Sequence, residues 1–243
     1  METIFIKEGD NLQEKIDEAI LKSSKLVIKK GLYETTPLFI KGALTLEFEE
    51  GATLLATTNE ALYQNIKTRV AGIEMEWYPA LLNVIGTSNV TIKGQGILDG
   101  NGPYWWNKYW GLDMKGGYRK IYDEKGLRFA ADYDCKRPRN LLVQNSSNVK
   151  IYDITSTSSG FWNIHILYSN DILIENVKIK SEAINSPSTD GIDIDSSYNV
   201  VVNKVETNCN DDSVCIKSGR DFDGIRVGRP SHDITISNSI INK

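Results

Sequence analysis

The chain of 243 residues has room for one large domain or two small ones, and its 40% hydrophobic and 25% charged residues are those of a soluble globular protein. With 28 Lys plus Arg against 32 Asp plus Glu and no basic block, the net charge of −4 excludes a nucleic-acid footprint, and an acidic substrate would have to be met by local cations. No run approaches the roughly 18 apolar residues of a membrane span. The start, Met1-Glu-Thr-Ile-Phe-Ile-Lys, lacks the basic and apolar regions of a signal peptide, which leaves a cytoplasmic protein or a secreted one without its signal. Cys135, Cys209 and Cys215 are odd in number and lack zinc-type spacing, so they read as reduced structural thiols.

Asp10 or Asn11 can cap a helix whose apolar positions, Leu12, Ile16, Ala19 and Ile20, follow helical spacing. Lys25–Ile28 and Leu44–Phe48 then read as the first strands. A repeated phrase follows. Leu82-Asn83-Val84 with Asn89, Leu141-Leu142-Val143 with Asn148, Ile164-His165-Ile166 with Asp171, and Ile192-Asp193-Ile194 with Asn199 each place the first apolar residue seven positions before an Asn or Asp that opens a second alternating stretch. A fifth copy, Val214-Cys215-Ile216 and Asp233-Ile234-Thr235-Ile236, has extra residues between its halves. Short alternating strands repeated every 20 to 30 residues predict a solenoid, here a right-handed parallel β-helix forming one domain over residues 1–243, with the N-terminal helix capping its open end. Hairpin signals are sparse, Asp99-Gly100 and Asp190-Gly191 being the exceptions, which argues against a sandwich. Between Asn89 and Asn148 the residues from Pro103 through Trp110 to Arg128 show no strand period and read as a long loop.

The repeat also aligns carboxylates. Asp190 lies two residues before Ile192, and Asp212 two before Val214, so they occupy one rung in successive coils. Parallel neighbours are about 4.7–4.9 Å apart, which predicts carboxylates within about 6 Å, while Asp211, one residue earlier, should point elsewhere. Crowded carboxylates hold at least one proton among them, the division of labour that acid–base glycoside hydrolysis needs. The competing reading is that each Asp merely serves turn geometry.

Ser188-Thr189-Asp190-Gly191-Ile192-Asp193 and Asn210-Asp211-Asp212, 21 residues on, resemble the Asn-Thr-Asp and paired-Asp signatures of glycoside hydrolase family 28, the polygalacturonases and their relatives. Arg137-Pro138, Phe161-Trp162-Asn163-Ile164-His165 and Ile216-Lys217-Ser218-Gly219-Arg220 resemble segments common in its bacterial members. The resemblance implies a β-helix that cleaves α-galacturonosyl linkages of pectin by inversion without a cofactor, with Asp211 as general acid and Asp190 and Asp212 holding the water. Two departures stand out. Ser188 occupies the family's usual Asn position, and the family's Gly-His-Gly and Arg-Ile-Lys signatures are absent, the only histidines being His165 and His232. A C-terminally truncated chain is the expectation, with self-association through apolar Ile234, Ile236, Ile240 and Ile241 of its last coil.

For substrate contact the candidates are Lys217, Arg220, His165 and Asp193. Lys217, Arg220, Arg226 and Arg229 put four cations after the paired Asp residues, suited to uronate carboxylates. His165 shares the rung of Asp193 and Cys215, facing the groove, and Asp195 shares one with Lys217 and is expected to pair with it. The Tyr104–Trp110 aromatics either stack on a sugar or pack the long loop. Two rival readings remain: a lyase with Ca²⁺ near Asp190, Asp193 and Asp211, and a non-catalytic carbohydrate-binding solenoid.

Overall fold

The computed structural model describes residues 3–127, 130–181 and 184–242. Among them, three parallel sheets of eight, seven and six strands run side by side, and successive coils visit the six-, eight- and seven-stranded sheets in turn. The chain is an all-β right-handed parallel β-helix, as its repeat requires. Asn89, Asn148, Asp171, Asn199 and Asp233, the residue that opens each second stretch, all adopt left-handed backbone with φ between 49° and 60°. Asn and Asp tolerate that conformation better than other residues carrying a side chain, which is the physical content of the repeated phrase. Stacking adds bonds along this column: Asn148 donates its side-chain N–H to Asn89 Oδ1 at 2.7 Å, and Asn199 to Asp171 Oδ1 at 3.2 Å.

Inside the coils alternate residues bury aliphatic ladders, among them Val90, Val149, Ile172 and Val200 on one sheet and Leu82, Leu141, Ile164 and Ile192 on another. Helix α1, Leu12–Lys22, is capped by the Asn11 side chain, which accepts from the Glu14 N–H. It buries Ile16 and Ala19 against the core, with Leu12 and Ile20 half-buried beside them. Several strands were not foreseen, among them Gly31–Thr35, Leu38–Ile40 and Ala52–Ala56. Ile4–Ile6 also precedes α1 and pairs with Lys25–Ile28, so the sheet begins one strand earlier than the sequence suggests.

The long loop holds no extra coil, since Ser88–Gly94 pairs directly with Ser147–Tyr152. It is helical rather than irregular: α2, Gly102–Trp110; α3, Gly117–Glu124; and α4, Ala131–Asp134. Arg128 lies outside the described residues. The extra residues of the fifth copy form α5, Asp221–Val227. A second excursion is an antiparallel hairpin, Ile66–Val70 with Ile73–Trp77, turning at Ala71 and Gly72, both left-handed. Ala-Gly is a weak hairpin signal, which is why the alternation missed it. A Cβ on Gly72 would lie 2.8 Å from the Arg220 backbone nitrogen, so the hairpin tip and the chain after Lys217 can approach only at a glycine. The hairpin folds over the outer face of the six-stranded sheet, where Arg69 meets Asp195 and Gln144 donates to the Lys67 carbonyl, while the helical excursion packs on the turn before that sheet, at Ser159 and Gly160.

Candidate active site

Asp190 leads into the strand Ile192–Asp195, and its backbone is fixed from the coil before. The Asn163 side chain donates to the carbonyls of Thr189 at 3.1 Å and Asp190 at 3.2 Å, and its backbone N–H to Asp190 at 2.8 Å. From the coil after, Gly191 N–H donates to the Asp212 carbonyl at 2.8 Å. A Cβ on Gly191 would sit 2.3 Å from the Ser213 carbonyl oxygen, so only glycine allows this approach. Ile192 pairs with Val214, which sets Asp190 and Asp212 on adjacent rungs as expected. Thr189 Oγ1 accepts from Asn210 N–H at 3.2 Å and ties the two turns together.

Asp211 does not point away. Alternation of side chains holds for extended backbone, and Asp211 is left-handed at φ 79°, which swings its carboxylate back toward its neighbours. Oxygens of Asp190, Asp211 and Asp212 lie within 4.8 Å of one another, Asp190 buried and the other two exposed. Burial first, then the charge of Asp193, pushes the Asp190 carboxyl well above the usual carboxylate range. Burial and then the Asp212 charge raise Asp211 also, with Asp132 adding to it. Fully buried Asp193 is pushed up to about 7 by burial, against the opposing pull of Lys217. Burial works against the charged Lys217, but Asp193 and Asp190 outweigh it and hold the ammonium protonated beyond its ordinary range.

The remaining candidates divide. Asp195 does share a rung with Lys217, yet the two do not pair. Lys217 Nζ instead contacts Asp193 Oδ1, lies 3.6 Å from Asp190 Oδ2, and sits 4.7 Å over the Trp162 ring. Asp195 is claimed by Arg69 of the hairpin at 3.0 Å, both side chains being fully buried. His165 keeps the rung of Asp193 but is sealed rather than facing a groove. Arg139 donates to its Nδ1 at 2.7 Å, and since a guanidinium only donates, the ring is the neutral Nε2–H tautomer. Burial depresses His165 to about 4. A sealed imidazole cannot touch a sugar, because Trp162 and the hairpin lie over it.

The four cations do not converge. Arg226 is taken by Glu74 and Asp223, each at 2.6 Å, Arg229 lies 5.0 Å over the Tyr168 ring, and Arg220 donates to Tyr133 Oη at 3.0 Å. Only Lys217 reaches the carboxylates. Of the aromatic cluster, Trp105, Trp106 and Tyr109 are buried and pack the excursion on the solenoid, Trp106 donating its indole N–H to the Ser159 carbonyl at 2.8 Å. Cys135 and Cys209 are buried free thiols, and Cys215 is a half-buried one.

The helical excursion also makes one wall of a cavity of about 270 Å³ beside Asp211, lined by Tyr109, Trp110, Arg119, Asp132, Ser188 and Asp211. Sequence reading missed Asp132 and Arg119, because residues far from the repeat carry no register. Asp132 accepts from Arg137 at 2.6 Å and from Ser188 Oγ at 2.9 Å, so Ser188, in place of the family's Asn, is bonded to the excursion.

Residues 65–240 match the description of Glycosyl hydrolases family 28. The chain belongs to that family. A probable polygalacturonase of Vitis vinifera is 28% identical over 219 residues, 88% of this chain and 40% of the relative. An exopolygalacturonase of Zea mays is 27% identical, over 87% of this chain and 45% of its own length. The chain thus spans less than half of the curated family 28 relatives it matches. Among solved structures, a hyperthermoactive exopolygalacturonase from Thermotoga maritima superposes with a TM-score of 0.80 at 27% identity, covering 98% of this chain and 60% of that one. The polygalacturonase of Erwinia carotovora ssp. carotovora, at 20% identity and TM-score 0.71 over 98% of this chain and 61% of that one, shares the fold.

Proposed function

We propose that the chain hydrolyses α-galacturonosyl linkages of pectic polysaccharide with inversion at the anomeric carbon. The observation that carries this reading is the meeting of three carboxylates within 4.8 Å, two stacked by register and the third turned in by a left-handed residue. Asp211, exposed and raised toward protonation, is placed to give its proton to the leaving oxygen. Asp190 and Asp212 on adjacent rungs hold and activate the water. Glycosidases with two carboxyl groups space them about 5–5.5 Å apart when retaining and about 6.5–9.5 Å when inverting. A 4.8 Å approach of nearest oxygens does not fit the inverting gap by itself. A third carboxylate removes the need for that gap, because the water can lie between Asp190 and Asp212 rather than between acid and base.

An ammonium group, Lys217, occupies the space between Asp190 and Asp193 where the lyase reading would put Ca²⁺, and this favours the hydrolase. The test is proton NMR of the first product formed from oligogalacturonides. A β-anomer at the new reducing end is expected. An α-anomer would overturn inversion, an unsaturated product would establish the lyase, and binding without turnover would leave a carbohydrate-binding solenoid.

A further inference from the structure

Lys217 sits on Val214–Lys217, the strand one coil beyond Asp190 and Asp193, with three-quarters or more of its surface withdrawn from solvent. Its Nζ contacts Asp193 Oδ1 and lies 3.6 Å from Asp190 Oδ2, and the Trp162 ring 4.7 Å away closes the other side. A cation held between two carboxylates and an aromatic face has little freedom left to meet a substrate carboxylate. Asp193 Oδ2 is buried without a hydrogen-bond partner among the described residues, so the direct contact of Asp193 with a cation is the one its Oδ1 makes with Lys217. We propose that Lys217 is a positioning residue rather than a substrate-binding one: with Asp193 it forms a buried charge pair that sets how readily Asp190 gives up its proton and becomes the water-activating base.

This deepens the hydrolase reading and rests on it for the role of Asp190. The groups facing the pair are Asp190 and Asp195 on its neighbouring strand and the turn before it, Asp211, Asp212 and Cys215 from the next coil, and His165 and Arg139 from earlier ones. Of these, neutral His165 is sealed, Asp195 is already paired with Arg69, and Arg139 acts on Asp193 while bonded to His165, so Lys217 is the cation that answers Asp190.

The sign of each change follows. Removing the ammonium disfavours the Asp190 carboxylate and raises the pH at which it ionises; removing the Asp193 charge does the reverse. The direct measurement is carbon NMR titration of ¹³C-labelled carboxylates in the full chain, with Asp190 assigned by its loss in Asp190→Asn. Lys217→Met should move the Asp190 midpoint up by about one unit or more, and Asp193→Asn should move it down, each unit being a tenfold change in the ratio of charged to neutral forms. Lys217→Arg should restore most of the shift. The double variant Lys217→Met with Asp193→Asn removes both charges of the pair and leaves Asp190 free to hold its proton; it should fold and titrate between the singles even if Lys217→Met does not fold.

In hydrolysis the acidic limb of the pH–rate profile should move with the Asp190 midpoint while KM for oligogalacturonides changes less than about threefold. A KM raised tenfold or more by Lys217→Met at an unmoved midpoint would overturn the proposal and return Lys217 to substrate binding. Midpoints that stay put in both single variants would also overturn it. If the wild-type chain does not hydrolyse pectin, the proposed function fails, and the titration still decides whether the pair controls Asp190.

Discussion

Two carboxylates flank the strand Ile192–Asp195, Asp190 in the turn before it and Asp195 as its last residue, and the two have opposite fates. At one end Asp190, with Asp211 and Asp212, meets the groove: three carboxylates share one nearby cation, Lys217, and two of the three are exposed. At the other end Asp195 is sealed under the hairpin, paired with Arg69 and 3.8 Å from His165 Nε2. Burial raises the Asp195 carboxyl, but His165 first and then Arg69 outweigh it and leave Asp195 lowered, whereas Asp190 and Asp211 are raised. Residue type and coil are the same; the difference is compensation. A carboxylate matched by its own cations is structural, and one left short of cations is pushed toward holding its proton, as an acid–base group must be.

The hardest test of that contrast is at the open end. Asp211→Asn keeps the shape and removes the proton, so hydrolysis should fall by about 10²–10⁴-fold, the usual contribution of a general acid. Binding of oligogalacturonides, read by calorimetry, should survive. Loss of binding in step with turnover would mean that Asp211 is structural, as Asp195 is. The sealed end should answer in stability instead. Arg69→Met strands the buried Asp195 carboxylate and should cost about 3–5 kcal/mol in chemical denaturation. Asp195→Asn added to it should recover part of that loss, because the cycle then removes both charges. If Arg69→Met left stability intact while abolishing turnover, the division between the two ends would be false.

Much of this was legible in the sequence for one reason: a stacked repeat converts spacing into register. The pairing of Asp190 with Asp212, of His165 with Asp193 and of Asp195 with Lys217 all followed from counting positions. Counting gives the rung, not the partner. Lys217 reaches diagonally to Asp193 because Arg69, 126 positions from Asp195 in the chain, has already taken the residue opposite it. Neither excursion obeys the repeat, so the lid over His165, the wall carrying Asp132 and the helices α2, α3 and α4 left no register to count. Asp211 failed for a local reason. Alternation assumes an extended chain, and the left-handed turn before the strand breaks it.

The same left-handed conformation that misplaced Asp211 is regular elsewhere, and its smallest expected consequence can be measured there. Asn148 sits at φ 49° in the turn column and donates to Asn89 Oδ1 at an exposed position, so its contribution is local backbone preference plus one solvent-facing hydrogen bond. Left-handed backbone costs an ordinary L-residue roughly 1–2 kcal/mol, which Asn partly and Gly almost wholly escapes. Asn148→Ala should therefore lose about 1 kcal/mol in urea denaturation and leave hydrolysis unchanged. Asn148→Gly should lose less than Asn148→Ala, since it forfeits the bond but not the conformation. Equal losses from both would show that the stacked hydrogen bond matters more than φ, and the Asn/Asp phrase would then mark a side-chain ladder running along the solenoid rather than a set of independent turns.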